Sequence, residues 1–132
     1  MDKIVELKQW FSIAKEDLDV AKFLAEKYYP KPVEKICNFC QQSVEKDLKG
    51  YLFINDIELL KTHDLSVLLG MCADINAEFV KFDKQCRYLT QFAIIPKYPH
   101  LLQITDEDAK AAIRFAEEIK EFVVKITHSP HQ

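Results

Sequence analysis

Arg87, Tyr88, Lys97, Tyr98 and His100 are side chains that can hold a phosphate or a base. Arginine and lysine pair with phosphate oxygens, and a tyrosine ring offers its face to a nucleobase. The same stretch also suits a structural loop in which Tyr98 packs, Pro99 precedes a helix and Lys97 is solvated. A second group, Gln41, Gln42, Glu45 and Lys46, fits on about one and a half turns of helix. It reads either as a solvated face with helix–helix hydrogen bonds or as a polar wall facing a cleft or a partner. Glu45 and Lys49 are four apart, the spacing of a helical ion pair.

Other reactive residue types point to structure. His63 stands at a helix start, where a capping or hydrogen-bonded histidine is expected, and as a metal ligand it has no neighbour in sequence. Cys37 and Cys40 form CNFC, yet no strand precedes them as a thioredoxin-like motif requires. Both fall on an apolar helical stripe. Cys72 and Cys86 sit in other helices without matching spacing, so four buried thiols are expected and no metal site. The chain has two glycines, Gly50 and Gly70, and neither has the context of a phosphate-binding loop. No cofactor is expected.

The elements that position these residues are helices. All five prolines, Pro30, Pro32, Pro96, Pro99 and Pro130, lie between or beyond the periodic segments. Ile4, Leu7, Phe11, Ala14, Leu18, Ala21, Ala25 and Tyr28 recur three and four apart, which predicts a helix over about Lys3 to Tyr28. A second starts near Pro32, with Val33, Cys37, Cys40, Val44, Leu48 and Tyr51 as its stripe. Thr62 or Asp64 caps a third that begins near Leu65. A fourth turns Phe79, Phe82, Cys86 and Leu89 inward, and the pattern leaves open whether it is separate from the third. Thr105 caps the last, whose first turn holds Asp106, Glu107 and Asp108.

The expected fold is an all-α, up-and-down bundle of four long helices plus a shorter fifth. It forms a single domain over 1–132, with a frayed tail from about 128. Ile94, Ile95, Leu101, Leu102 and Ile104 surround two prolines and form an apolar patch that either closes the bundle end or meets a partner.

Composition narrows the function classes. The 132 residues are 48% hydrophobic and 30% charged, with a net charge of −3. That suits one domain with a sizeable core and gives no bulk basic field for nucleic acid or anionic membrane. The charged N-terminus MDKIVELKQWF lacks a signal-peptide core, and no apolar run is long enough to span a bilayer. A cytoplasmic location is expected.

Four motifs, in order, give the chain a family resemblance. They are Trp10, Asp17, Leu18 and Ala21 in the first helix; Phe39, Gln41, Gln42, Glu45, Lys46, Leu48 and Lys49 in the second; THDL at Thr62 to Leu65; and KYP at Lys97 to Pro99. The chain resembles the HEPN (higher eukaryotes and prokaryotes nucleotide-binding) domain family over nearly its whole length. The resemblance implies a five-helix bundle, often a homodimer. Some members accompany a minimal nucleotidyltransferase, and others are ribonucleases or toxins held by an antitoxin. The nuclease branch has an arginine followed, after four to six residues, by a histidine, acting as charge stabiliser and base.

Here the positions that follow Arg87 at that spacing are Phe92, Ala93 and Ile94, and those that follow Arg114 are Ile119, Lys120 and Glu121. The nuclease motif is absent, and so is the GS-x-DxD signature of the nucleotidyltransferase itself. The expected role is a non-catalytic binding subunit for a nucleotide or RNA, partnered by a nucleotidyltransferase. Arg87, Tyr88, Lys97, Tyr98 and His100 would hold phosphate and base, and the Gln41–Lys46 group would form the adjoining wall. The alternatives are a degenerate ribonuclease or toxin using Arg87 with His63 or His100, and a protein-interaction adaptor.

Overall fold

Asp2 accepts the Ile4 backbone N–H at 2.7 Å, and this cap starts helix α1, Lys3–Lys27. In the computed structural model, which describes residues 2–94 and 103–127, four more helices follow. They are α2 (Val33–Ile54), α3 (Leu65–Ile75), α4 (Asp83–Thr90) and α5 (Asp106–Thr127). No strand occurs among the described residues, so the expected all-α bundle is what the chain forms. The third and fourth helices are separate and short, with 11 and 8 residues, and a 3₁₀ segment, Ala77–Phe82, joins them. Asn76 makes that corner by accepting the Glu78 N–H at 3.0 Å. Residues 95–102, which hold Lys97, Tyr98, His100, Ile95, Leu101 and Leu102, lie outside the described residues, as does the tail from 128. Of the expected apolar patch, Ile94 is 78% exposed and Ile104 packs against the core.

Helix α2 is the centre of the bundle. It packs along both α1 and α5 and also touches α3 and α4. Ile36, Cys37, Cys40, Val44, Leu48 and Leu52 are all fully buried. An amphipathic helix normally keeps one face in water, but a helix covered on several sides has little such face left. Its polar residues must therefore find partners inside the protein, because an unpaired buried polar group costs free energy.

These polar residues bond to different neighbours. Ser43 Oγ donates to Ala14 O of α1 at 2.7 Å, and Lys46 Nζ donates to Asp17 of α1 at 2.5 Å. Asn38 Nδ2 donates to Phe92 O, just past α4, at 2.7 Å. Asp47 Oδ1 accepts from Lys120 Nζ of α5 at 3.1 Å. Hydrogen bonds are directional, so this set fixes the rotation and height of α2 against each neighbour in a way apolar burial does not.

Gly50 sets the approach of α1 to α2. A Cβ there would lie 2.9 Å from Phe11 Cε1 and 3.1 Å from Trp10 Cβ. Alanine would gain about 1 kcal/mol of helix propensity, but the overpacking costs about 1–3 kcal/mol. A Gly50→Ala variant is expected to lose about 1 kcal/mol of stability in a urea titration. A gain instead would mean that the Phe11 ring yields freely.

The cysteines behave as core residues. All four are free and buried. Burial pushes the Cys37 and Cys86 thiols up to about 12, and the Cys40 and Cys72 thiols upward as well. Neutral, enclosed thiols are poor nucleophiles and poor metal ligands.

Candidate functional site

Two of the sequence motifs, 18 to 22 residues apart in the chain, meet in space. Gln41 and Glu45 stand one turn apart on α2, and His63 lies in the connection to α3. Gln41 Nε2 donates to His63 O at 3.0 Å and to Glu45 Oε1 at 3.1 Å. The His63 ring meets Glu45 through Nδ1, 2.9 Å from Oε1. Lys49 Nζ donates to Glu45 Oε2 at 3.0 Å, which is the ion pair the spacing predicts. Gln42 Nε2 in turn donates to Gln41 Oε1 at 3.1 Å.

Burial divides this cluster into a hidden support and an exposed tip. Gln41 is fully buried and Glu45 is 5% exposed, so this part of α2 is no solvated face. The His63 side chain is 62% exposed. Burial alone would push the Glu45 carboxyl up. The hydrogen bonds from His63, Lys49 and Gln41 outweigh that and hold it below the ordinary carboxylate range.

An ionised carboxylate is an acceptor only. His63 Nδ1 must therefore carry the hydrogen, and in the neutral imidazole the lone pair is left on Nε2. The buried carboxylate thus selects the tautomer and holds the ring, as carboxylates do for histidines that bind ligands or move protons.

The start of α3 continues the site. Asp64 caps the helix by accepting the Ser66 N–H at 2.9 Å, and Thr62 Oγ1 accepts the Asp64 N–H at 3.1 Å. Capping therefore falls to Asp64 and leaves the His63 ring to Glu45. The Leu65 N–H donates to Thr90 Oγ1 at 3.0 Å, and Thr90 donates to Cys86 O at 2.8 Å. This link ties the N-terminal end of α3 to the C-terminal end of α4, one turn from Arg87. The Arg87 guanidinium is 67% exposed and pairs with Asp83 at 2.8 Å. Exposed ion pairs are weak and exchange readily with an anionic ligand.

The remaining expected site residues are placed differently. The Tyr88 hydroxyl donates to Asp108 of α5, and its ring meets Phe92 and Phe115 edge to face. Burial and this bond push the Tyr88 phenol up, and the same bond helps hold the Asp108 carboxyl down. Tyr88 locks α4 to α5, and its ring is occupied by protein. Lys46 pairs with Asp17 of α1. Gln41, Gln42 and Glu45 are thus brought together with His63, and Lys46 and Tyr88 are engaged elsewhere. Among the described residues, no group of three or more His, Cys, Asp or Glu is placed to hold a metal ion.

One charged group escaped the sequence reading. Asp47 is fully buried, and its Oδ2 has no hydrogen-bond partner. The signal was available: Asp47 is three residues from Val44 and four from Tyr51, on the stripe that faces the core.

Comparison with known proteins agrees with this architecture. The family model of the HEPN domain matches residues 7–127. The crystal structure of TT1696 from Thermus thermophilus superposes with a TM-score of 0.72 at 22% identity, over 90% of this chain and 96% of that one. The crystal structure of ST0689, described as an archaeal HEPN homologue, gives 0.71 at 25% identity, over 90% and 95%. No curated protein matches the chain.

Proposed function

This chain belongs to the HEPN domain family, and from that premise we propose that it is a non-catalytic binding subunit for a nucleotide or an RNA segment. In this reading it is a homodimer in the cytoplasm, partnered by a minimal nucleotidyltransferase. The observation that carries the binding reading is the His63 ring, exposed and fixed on buried Glu45, beside a helix end tied to the Arg87 helix. Arg87 supplies the phosphate contact. His63 Nε2 accepts a hydrogen bond from a ribose hydroxyl or a base amino group. Lys97, Tyr98 and His100 remain suited by residue type to add phosphate and base contacts. No helix among the described residues is long and apolar enough to cross a membrane.

Native mass spectrometry of the protein purified from its host tests the assembly half of this reading. A dimer that carries a protein of nucleotidyltransferase size or a retained nucleotide is expected. A bare chain without either contradicts it.

A second reading, a degenerate ribonuclease, gains from the fixed tautomer, because Nε2 of His63 could take the proton of a 2′-hydroxyl while Arg87 stabilises the phosphate. It predicts cleavage of a labelled RNA that persists through purification and falls at least about a hundredfold in both His63→Ala and Arg87→Ala. The binding reading predicts intact RNA throughout.

A further inference from the structure

At the other end of α3, about 16 Å from its start, lies a cleft of about 530 Å³ lined by Ile4, Leu7, Tyr51, Ile54, Ile75 and Ile126. This is the size of a small-molecule site. The cleft sits where α2, α3 and α5 end and α1 begins. We propose that it binds a small apolar molecule carrying a protonated amine, such as an arylalkylamine, and that it rejects anions.

Three observations give the ligand its character. The lining is mostly aliphatic, which favours a ring or chain over a sugar or phosphate. Two of its polar groups have hydrogen-bonding capacity to spare. Tyr51 is 7% exposed, and its hydroxyl makes no hydrogen bond among the described residues. Asn55 uses Nδ2 on Tyr51 O and keeps Oδ1 available. The third observation is electrostatic. Three helices present their C-terminal ends, which carry negative partial charge, although Ile54 O of α2 already accepts from Lys3 Nζ at 3.3 Å. The last turns of α2 and α3 hold no basic residue, and that of α5 holds one, Lys125. Exposed Asp74 and Glu78 flank the lining residues Ile75 to Ala77. The one helix that starts here, α1, has its end capped by the Asp2 carboxylate, and Lys3 is shared between Asp56 and Ile54 O, so that Asp2, Asp56, Asp74 and Glu78 outnumber Lys3 and Lys125 around the cleft. A cation is therefore favoured and a phosphate repelled. This separates the cleft from the His63 surface, and the proposal stands whether or not that surface binds nucleotides.

The lining offers its own reporters, since four of its residues are isoleucines. With ¹³C-methyl-labelled isoleucine, phenethylamine is expected to shift the Ile4, Ile54, Ile75 and Ile126 methyls at up to about 10 mM and to leave Ile13 and Ile36 in place. Phenyl phosphate, which has an aromatic ring and the opposite charge, is expected to leave all of them unchanged. Tyr51→Phe keeps the ring packing and should weaken phenethylamine binding roughly two- to tenfold. Ile4→Trp, at a position 52% exposed, fills the mouth without disturbing the core and should abolish binding. Absence of those methyl shifts overturns the proposal. So does equal binding of phenyl phosphate, or unchanged binding in Ile4→Trp.

Discussion

An Asp47→Asn variant will gain stability relative to the parent protein as pH rises from 4 to 7, by about 3 kcal/mol in total. Burial is the main cause, pushing the Asp47 carboxyl from 3.8 up to about 6. Asp17 of α1 adds to the rise, and Lys120 of α5 offsets part of it. Lys46, the neighbouring cation, is committed to Asp17. The sign follows from the direction of the shift. Between about pH 4 and 6 the folded protein keeps the Asp47 proton and the unfolded chain has lost it. Raising the pH through this window therefore favours unfolding, and above about pH 6 the full cost is present.

Two pH units correspond to about 3 kcal/mol, a large share of a domain's 5–15 kcal/mol. Asparagine removes the titration at nearly constant shape, although its buried amide returns about 1 kcal/mol of the gain. Urea titrations of both proteins at several pH values measure the difference. A gap that stays constant with pH would mean that Lys120 keeps Asp47 ionised at its ordinary value.

A Glu45→Ala variant is expected to lose about 3 kcal/mol, roughly 10 °C in Tm. The truncation leaves one N–H of the buried Gln41 amide and the Lys49 ammonium, whose side chain is 12% exposed, without their acceptor. It also removes the acceptor that orients His63. The pH dependence has the opposite sense to that of Asp47. The folded Glu45 carboxyl is held below its ordinary value, so its stabilising contribution is present above the unfolded value near 4.5 and is lost as pH falls through the folded value. In ¹⁵N spectra of histidine, the parent should show the Nδ1–H tautomer of His63, and Glu45→Ala a mixture. A variant as stable as the parent, with the tautomer unchanged, would mean that this cluster positions nothing.

The apolar part of the fold was legible in the sequence because helical burial is periodic. Leu7, Ala14, Leu18 and Ala21 on α1, and Ala109, Ala112, Ala116, Ile119 and Val123 on α5, are buried as their spacing predicts. Prolines marked the breaks before α2 and α5, and the capping residues of THDL marked the start of α3. The corner at Asn76 was not separable, since apolar residues continue on both sides of it and no proline or glycine marks the 3₁₀ segment.

The polar part was less legible, for a physical reason. Stripe reasoning assumes that a polar residue seeks water, and α2 has neighbours on several sides. Gln41 and Glu45 lie four and eight residues from Cys37, on positions that face protein, and only their partners make them tolerable there. The pairing of Glu45 with His63 crosses a helix break, where spacing gives no information. Tyr88 looked available for stacking because nothing in its own helix announces Asp108, 20 residues away.

The most direct test of the binding claim is the affinity of a fluorescein-labelled single-stranded RNA of about ten nucleotides for three proteins: the parent, His63→Ala and Arg87→Ala. It is read by anisotropy at two salt concentrations, because phosphate contacts weaken with salt. The account predicts that the parent binds, that each variant binds about tenfold more weakly with its fold intact, that Arg87→Ala has the shallower salt dependence, and that the RNA is recovered whole. A parent that does not bind, or variants that bind as tightly as the parent, would contradict it.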